Sequence, residues 1–222
     1  IIAGGNTINL VDNFNPNNLV PDSNDEVYIR YYTEEGTESG YIPYNSITDI
    51  KLVSCEYSSY EPILKEGFCN GEGLNSNLKT LDLSGCVDIT SIDHHVLCYN
   101  EKLTSVNFSG LKNVEQITYN FFTNSGDSEN GIDIDMTPFE NLEYIGDYAF
   151  SHSYIKSLDL NCPKLGQVGR VFCSNCTKLT TLDMSKCTAM YYIGYNPLDC
   201  NEIEASAIQE FKVPLCTPPV LY

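Results

Sequence analysis

The chain has 222 residues, of which 42% are hydrophobic and 11% aromatic, so it can bury a substantial core and is not a disordered segment. Its 30 acidic and 12 basic residues give a formal net charge of −18, which repels phosphate backbones and anionic lipid surfaces. We therefore expect no nucleic-acid partner and no membrane insertion, since no apolar run approaches the roughly 20 residues that span a bilayer.

The N-terminal part of the chain differs in composition from the rest. Residues 1–26 hold seven Asn, two Pro and a Gly pair, and we expect an extended or partly mobile lead-in there. Residues 27–42 predict two strands around the turn TEEGTESG, and this hairpin would cover the exposed edge of the sheet that follows. We assign residues 1–46 to this lead-in and β-hairpin cap.

One sequence pattern recurs through the remaining chain. Copies of L-x-x-L-x-L begin at Ile47, Leu78, Leu103, Gly131, Ile155, Leu179 and Ile208, at intervals of 31, 25, 28, 24, 24 and 29 residues. The alternation at the end of the pattern predicts a short strand in which Leu81 and Leu83 point inward and Asp82 points outward.

A second pattern lies halfway between these starts and keeps the same phase. Each copy opens on an aliphatic residue and closes on an apolar pair, as in IDHHVLC from 92, ITYNFF from 117, IGDYAF from 145 and VGRVFC from 168. A further apolar position lies between strand and second pattern, at Ile89, Val114, Leu142, Leu165 and Met190. We expect this half of each repeat to turn the chain back as a short helical or irregular segment.

A unit of this length cannot bury its own apolar edge, but stacked units bury it continuously. We therefore predict a mostly β solenoid of the α/β repeat type over residues 47–222. About seven short strands would form one parallel sheet, and Pro214, Pro218 and Pro219 suit a terminal edge because proline lacks the donor that a following strand needs.

These motifs resemble a known family. The combination L-x-x-L-D-L-S-x-C followed by I-G-x-x-A-F, as in FENLEYIGDYAF at 139–150, resembles the BspA-like leucine-rich repeats over about residues 47–222. The segment VYIRYYTEEGTESGYIPY is similar to the strand-rich region that precedes such arrays in surface proteins of gut and oral Bacteroidetes. The resemblance implies a right-handed leucine-rich-repeat superhelix and adhesion to host matrix proteins or other cells.

Ten cysteines raise the question of disulfides and metals. Five of them, namely Cys55, Cys86, Cys162, Cys187 and Cys216, follow the strand in successive copies, where other copies hold Leu111 or Phe139. An apolar slot predicts buried thiols. Neighbouring strands are nevertheless close enough for a disulfide, so an oxidised pair stays an open alternative. Cys173 and Cys176 form a C-x-x-C without a second metal-ligand pair, and we expect them to pack in the core.

The adjacent pair His94 and His95 is the other candidate for chemistry. A metal-binding or general-base role is conceivable, but adjacent side chains on an extended segment diverge, which favours solvent-exposed histidines. The chain has no G-x-S-x-G, H-E-x-x-H, P-loop or G-x-G-x-x-G motif. We predict no enzyme, no metal and no cofactor.

The outward strand positions form the candidate binding site. In a solenoid they would stack into a column that runs Lys51, Asp82, Asn107, Asp135, Asp159, Asp183 and Lys212, with Thr80, Ser105, Asp133, Ser157 and Thr181 beside it. Two interpretations are open. Either the repeat favours small polar residues outside, or a polar concave strip binds a basic or hydroxyl-rich partner or a divalent cation.

The functional hypothesis is a non-catalytic interaction protein that is secreted or lies on the cell surface, with a host matrix or cell-surface protein as partner. The alternative is a carbohydrate-binding accessory module of a surface glycan-utilisation system. It draws on the 16 tyrosines, including Tyr191, Tyr192 and Tyr195. Exposed aromatic residues on one face would favour this alternative, whereas a smooth polar face favours protein binding.

Overall fold

The computed structural model describes residues 1–7, 28–32, 39–53, 55, 62–74, 76–198, 210–212 and 220–221. These residues form short strands and turns, with one 3₁₀ turn at Tyr44–Ser46 and, within the described ranges, no α-helix. Each repeat contributes one longer strand and one strand of two residues, so the chain winds as a mostly β solenoid.

The long strands coincide with the L-x-x-L-x-L copies. They are Ile47–Lys51, Thr80–Asp82, Ser105–Asn107, Ile132–Asp135, Ile155–Asp159, Thr181–Asp183 and Glu210–Lys212. Leu81, Leu158 and Leu182 are buried and pair in register with their neighbours, as the alternation predicts. Seven parallel long strands are thus confirmed.

The long strands do not form one continuous sheet, however. The first three join one ladder and the last four another, and the break falls between Ser105–Asn107 and Ile132–Asp135. Residues 124–130, which belong to the 28-residue repeat that begins at Leu103, lie at this break. The Gly126 and Ser128 amides donate to the Asn100 and Glu101 carbonyls instead of joining a long-strand ladder. The break therefore coincides with this longer repeat.

The second pattern forms a second parallel sheet, so the prediction of a helical or irregular return is wrong. Its two-residue strands are Ile63–Leu64, Ser91–Ile92, Gln116–Ile117, Tyr144–Ile145, Gln167–Val168, Tyr192–Ile193 and Val220–Leu221. All seven pair in one unbroken parallel ladder. Two residues are too few to show the alternation that predicts a strand from sequence. These strands form because the short strands of neighbouring repeats supply their hydrogen bonds.

The turn after each short strand uses left-handed backbone. The third residue after the strand has a positive φ in six successive repeats, at Gly67, His95, Asn120, Tyr148, Val171 and Asn196. Only one of these six is a glycine, which is why the sequence did not reveal the turn. The turn then returns the apolar pair, for example Phe121 and Phe122, to the core.

The N-terminal residues 1–7 form a tight hairpin, so the prediction of an extended or partly mobile lead-in is wrong for these residues. Strand Ile2–Ala3 pairs with Asn6–Thr7 and, antiparallel, with Ile47–Lys51. This hairpin covers the edge of the first repeat. The predicted hairpin also exists, as Tyr28–Tyr32 with Ser39–Pro43, but its strands form a separate sheet.

The division at residues 46 and 47 stays a prediction. Residues 8–27, and with them most of the lead-in, lie outside the described residues, as do Pro214, Pro218, Pro219, Cys200 and Cys216.

The core runs along the axis of the solenoid and includes the cysteine slot. Cys86, Cys162 and Cys187 are fully buried, like Leu111 and Phe139 in the same slot, and Cys55 is half-buried. Cys173 and Cys176 are also buried, as predicted. None of the eight described cysteines forms a disulfide. Several thiols bond to the preceding repeat: Cys162 donates to the Met136 carbonyl at 3.2 Å and Cys187 to the Leu160 carbonyl at 2.8 Å.

Candidate binding faces

The outward residues of the long strands stack as predicted. We call this stack the outer row; its members are Lys51, Asp82 and Asn107 on the first ladder and Asp135, Asp159, Asp183 and Lys212 on the second. Each residue pairs in register with the next one of its ladder. The structure therefore brings Asp135, Asp159 and Asp183 together on the second ladder. Asp82 and Asn107 are neighbours on the first ladder, on the other side of the break.

Each of the five predicted site residues also holds the turn that follows its strand. One side-chain oxygen accepts a hydrogen bond from the backbone amide two residues later. The acceptors and donors are Asp82 with Ser84 (2.9 Å), Asn107 with Ser109 (3.0 Å), Asp135 with Thr137 (2.8 Å), Asp159 with Asn161 (3.1 Å) and Asp183 with Ser185 (2.9 Å). This is the local turn that Asp and Asn form readily, so the row has a structural reason to exist.

A second polar row lies beside the outer row and is held together by hydroxyl groups. Thr80 donates to Asp49 at 2.5 Å, and Ser157 donates to Asp133 at 2.7 Å. The bonds from Thr80 and Thr48 lower the pKa of Asp49 below its ordinary value, so this carboxylate stays ionised. Hydroxyl groups between carboxylates reduce the repulsion that stacked like charges cause.

An ion pair balances charge at the Lys212 end of the outer row. Lys212 forms an ion pair with Asp183, with Nζ 3.2 Å from Oδ2. Burial alone would raise the pKa of Asp183, but hydrogen bonds from Ser185, Lys212 and Asn161 dominate and lower it to about 2. Within the described residues no ion pair involves Asp135 or Asp159. The middle of the second ladder therefore presents uncompensated negative charge.

The turns after the short strands carry a second row of side chains. The sequence singled out two of its members, His94 and Tyr195, but not the row. It follows the short strands: the second residue after each strand is Glu66, His94, Tyr119, Asp147, Arg170 or Tyr195, and we call these six the edge row. Contacts join four of the five consecutive pairs in this row, those other than Tyr119 with Asp147. His94 stacks on Tyr119 with 4.8 Å between ring centroids, and Arg170 binds Asp147 and lies 5.5 Å from the centroid of Tyr195. The in-phase second pattern was the signal that could have revealed it.

Several tyrosines are exposed at or near this edge. Tyr119, Tyr148 and Tyr195 are between 40% and 45% exposed, and Tyr191 is 64% exposed. Of the three tyrosines singled out from the sequence, Tyr192 is half-buried on its short strand, and Tyr191 donates to Gln167 in the preceding repeat. The aromatic residues thus lie on a different side of the repeat from the outer row.

The two adjacent histidines converge, so the prediction that they diverge is wrong. His95 has a φ of 55°, which turns its ring to the same side as that of His94. His94 Nε2 lies 2.8 Å from Glu66 Oε1, and His95 Nδ1 lies 3.8 Å from the same oxygen. Neither ring is fully exposed. No extended segment could bring neighbouring side chains together in this way.

The fold and these faces define a class of protein, the leucine-rich-repeat solenoid that presents an extended surface for interactions. The model of the BspA type leucine rich repeat region matches residues 44–134 and 133–212, in 6 copies. The chain belongs to this family. Its repeats are typically non-catalytic modules for protein interaction. A search of curated proteins finds no match. Among the described residues, no helix has the length and apolarity to cross a membrane.

Proposed function

We propose that this protein is a non-catalytic binding module, secreted or attached to the cell surface, that uses the outer row to bind a basic surface of a host matrix or cell-surface protein. The proposal includes the predicted division into a cap of residues 1–46 and a solenoid of residues 47–222. The family supports the general role, because its repeats serve interaction and adhesion.

The observation that carries the proposal is the arrangement of Asp135, Asp159 and Asp183. Each uses Oδ1 to hold a turn, so the carboxylates are fixed before any partner arrives. Fixed groups lose little conformational entropy on binding, which favours affinity. The three carboxylates lie one ladder step apart, at the roughly 4.8 Å spacing of neighbouring strands, which suits lysine or arginine side chains on an extended partner.

The overall charge supports a basic partner. A net charge of −18 accelerates encounter with a positive surface and repels acidic ones. Binding through this row should therefore weaken as the salt concentration rises.

The test is binding of the purified chain to a panel of host matrix proteins, measured by surface plasmon resonance at low and physiological salt. The variant D135N/D159N/D183N removes three charges but keeps the oxygen that each turn needs. We expect a saturable matrix ligand whose affinity for this variant falls at least about tenfold.

The matched control is E115Q/E129Q/E140Q, which changes three exposed glutamates away from the outer row. Both variants move the formal net charge from −18 to −15, since each loses three negative charges. An equal loss of affinity in both would mean that only the overall charge matters. Unchanged affinity of the aspartate variant for a partner that the wild type binds would remove the outer row as the site.

The second candidate function is glycan binding at the short-strand edge. The exposed rings of Tyr119, Tyr148 and Tyr195 favour it, because sugars pack their apolar faces on aromatic rings. A glycan array separates the two functions. A glycan ligand lost in Y119A/Y195A but retained in D135N/D159N/D183N would assign carbohydrate binding to this edge and leave the outer row without a ligand.

A further inference from the structure

We propose that Glu66, His94 and His95 form a binding site for a divalent transition-metal cation of the Zn²⁺ type. Each of the three residues offers one ligand atom, and these atoms lie within 4.8 Å of one another. Glu66 Oε1 is the shared neighbour, close to His94 Nε2 and His95 Nδ1. The site is independent of the outer row and joins two consecutive repeats, since Glu66 precedes the two histidines by one repeat.

The donor set indicates the class of metal. Two imidazole nitrogens and one carboxylate oxygen are ligands that Zn²⁺ takes at about 2.0–2.2 Å, often with a fourth position left to water or another ligand. Mg²⁺ and Ca²⁺ prefer oxygen ligands throughout. Among divalent first-row ions, imidazole sites favour Zn²⁺, Ni²⁺ and Cu²⁺ over Mn²⁺.

A carboxylate on the far side of the ring orients His94 for this role. Asp93 Oδ1 lies 2.6 Å from His94 Nδ1 and also accepts the His94 backbone amide at 2.8 Å, so its position is fixed. The proton of a neutral imidazole then resides on Nδ1, and the lone pair of Nε2 points at the Glu66 carboxylate. Two lone pairs 2.8 Å apart repel each other unless a proton or a cation lies between them. A carboxylate behind a ligating histidine is the usual way in which proteins orient such a ligand.

Tyr119 and Asn120 hold the two rings in place from the next repeat. Tyr119 stacks on His94 and meets His95 edge to face, with centroids 5.7 Å apart. Asn120 Nδ2 lies 3.1 Å from His95 Nε2. For the Nδ1 lone pair to bind a metal, His95 carries its proton on Nε2. The Asn120 amide then rotates so that its oxygen accepts a hydrogen bond from the Nε2–H group.

Two of the three ligand–ligand distances are already close to those around a bound ion. Tetrahedral ligands at these bond lengths lie about 3.3 Å from one another. Glu66 Oε1 is 2.8 Å from His94 Nε2 and 3.8 Å from His95 Nδ1, so each of these distances differs from that value by about 0.5 Å. Glu66 is exposed and its side chain is free to move by this amount.

The experiment is a titration of the purified full chain with ZnCl₂ by isothermal calorimetry, in an excess of MgCl₂ that occupies the diffuse acidic surface. We expect one site per chain. The variants E66Q, H94Q and H95Q should each weaken binding at least about tenfold, and D93N should weaken it less. N120D should tighten binding, because a carboxylate accepts a stronger hydrogen bond from the Nε2–H group of His95 than an amide oxygen does.

The matched control is H152Q. His152 also has a left-handed backbone, with φ of 58°, and its Nε2 also lies 3.3 Å from an asparagine amide, that of Asn175. The described residues place it in no cluster of metal ligands. H152Q should bind Zn²⁺ like the wild type.

A second readout separates loss of the site from loss of the fold. Zn²⁺ should raise the melting temperature of the wild type and of H152Q but not that of H94Q, because a ligand that binds only the folded chain stabilises it. Two results would overturn the proposal: equal affinity of wild type, H94Q and H95Q, or an equal loss in H152Q. Either would mean that the ion binds to the acidic surface in general.

Discussion

At the end of five of the seven long strands, one polar side chain holds the turn that follows. Asp159 accepts the amide of Asn161 at 3.1 Å, and its half-buried position makes that amide costly to leave unpaired. The same residue presents charge on the outer row. The structural role of this side chain therefore depends on its acceptor oxygen, whereas the proposed binding role depends on its charge.

This separation predicts different outcomes for two substitutions. Asp159→Ala removes the acceptor and should lower the free energy of unfolding by about 1 kcal/mol. Asp159→Asn keeps an acceptor and should leave it nearly unchanged. Urea unfolding followed by circular dichroism measures both, and equal destabilisation by the two variants would show that the charge, not the acceptor, supports the turn.

The lowered pKa of Asp183 predicts a dependence of stability on pH. Its pKa is about 2 in the folded chain, below the ordinary value of 3.8, because Ser185, Lys212 and Asn161 bond to the ionised form against the opposing effect of burial. The stabilisation is fully present above about pH 4 and is lost as the pH falls towards 2; we expect on the order of 1 kcal/mol.

The measurement compares the melting temperatures of wild type and Asp183→Asn from pH 6 to pH 2. The wild type should melt higher at pH 6, and the difference should shrink between pH 4 and pH 2. A difference that stays constant over that range would contradict the assigned pKa.

The left-handed turn residue predicts a stabilising substitution. Val171 has a φ of 58°, a conformation that is strained for a β-branched residue, whereas equivalent repeats hold Gly67, Asn120 and Asn196. Val171→Asn should raise the free energy of unfolding by about 1 kcal/mol. Val87→Asn, at an exposed valine that does not have a left-handed backbone, is the control and should change little. A loss of stability in Val171→Asn would mean that its packing outweighs the strain.

At the scale of the element, the N-terminal hairpin protects the edge of the first long strand. Ala3 is buried and pairs opposite Ile47, whereas the adjacent Ile2 is 38% exposed. Ala3→Asp places a charge in the core and should detach the hairpin, which leaves an unpaired strand edge that promotes association.

Ile2→Asp adds the same charge to the solvent side of the same strand and should leave the hairpin in place. Light scattering after size exclusion measures association for both variants. Ala3→Asp should form concentration-dependent oligomers while Ile2→Asp stays at the wild-type mass. A monomeric Ala3→Asp would show that the hairpin is not what prevents edge pairing.

The elements differ in how far the sequence predicts them. The L-x-x-L-x-L copies predict all seven long strands, because inward residues such as Leu81 and Leu158 must alternate with outward ones. The short strands are not predicted, because two residues are too few to show an alternation of inward and outward side chains. Their hydrogen bonds also come from other repeats. The positive φ of His95 and Tyr148 has no glycine to mark it.

The two candidate faces also differ in how well the sequence predicts them. The outer row depends only on the strand register, so Asp135, Asp159 and Asp183 could be placed in one stack from their spacing. The histidine cluster depends on the left-handed backbone of His95 and on Glu66 from the preceding repeat. Neither the backbone conformation of His95 nor the position of Glu66 can be predicted from the sequence Asp-His-His at residues 93–95.

At the scale of the whole molecule, the solenoid presents two chemically different surfaces. The long strands carry carboxylates that are locked by their turns, and the short-strand edge carries aromatic rings, an arginine and two histidines. A partner of the proposed basic chemistry should engage only the first. Extended surfaces of this kind are how repeat solenoids bind large partners.

The most direct test of the proposed binding face is hydrogen–deuterium exchange of the chain with and without a matrix protein identified in the binding panel. We expect slower exchange with the partner in the turns after the long strands, at residues 136–137, 160–162 and 184–186, where Asp135, Asp159 and Asp183 accept from backbone amides. Protection confined to residues 118–120, 147–149 and 170–172 would contradict this expectation, because the partner would then lie on the short-strand edge.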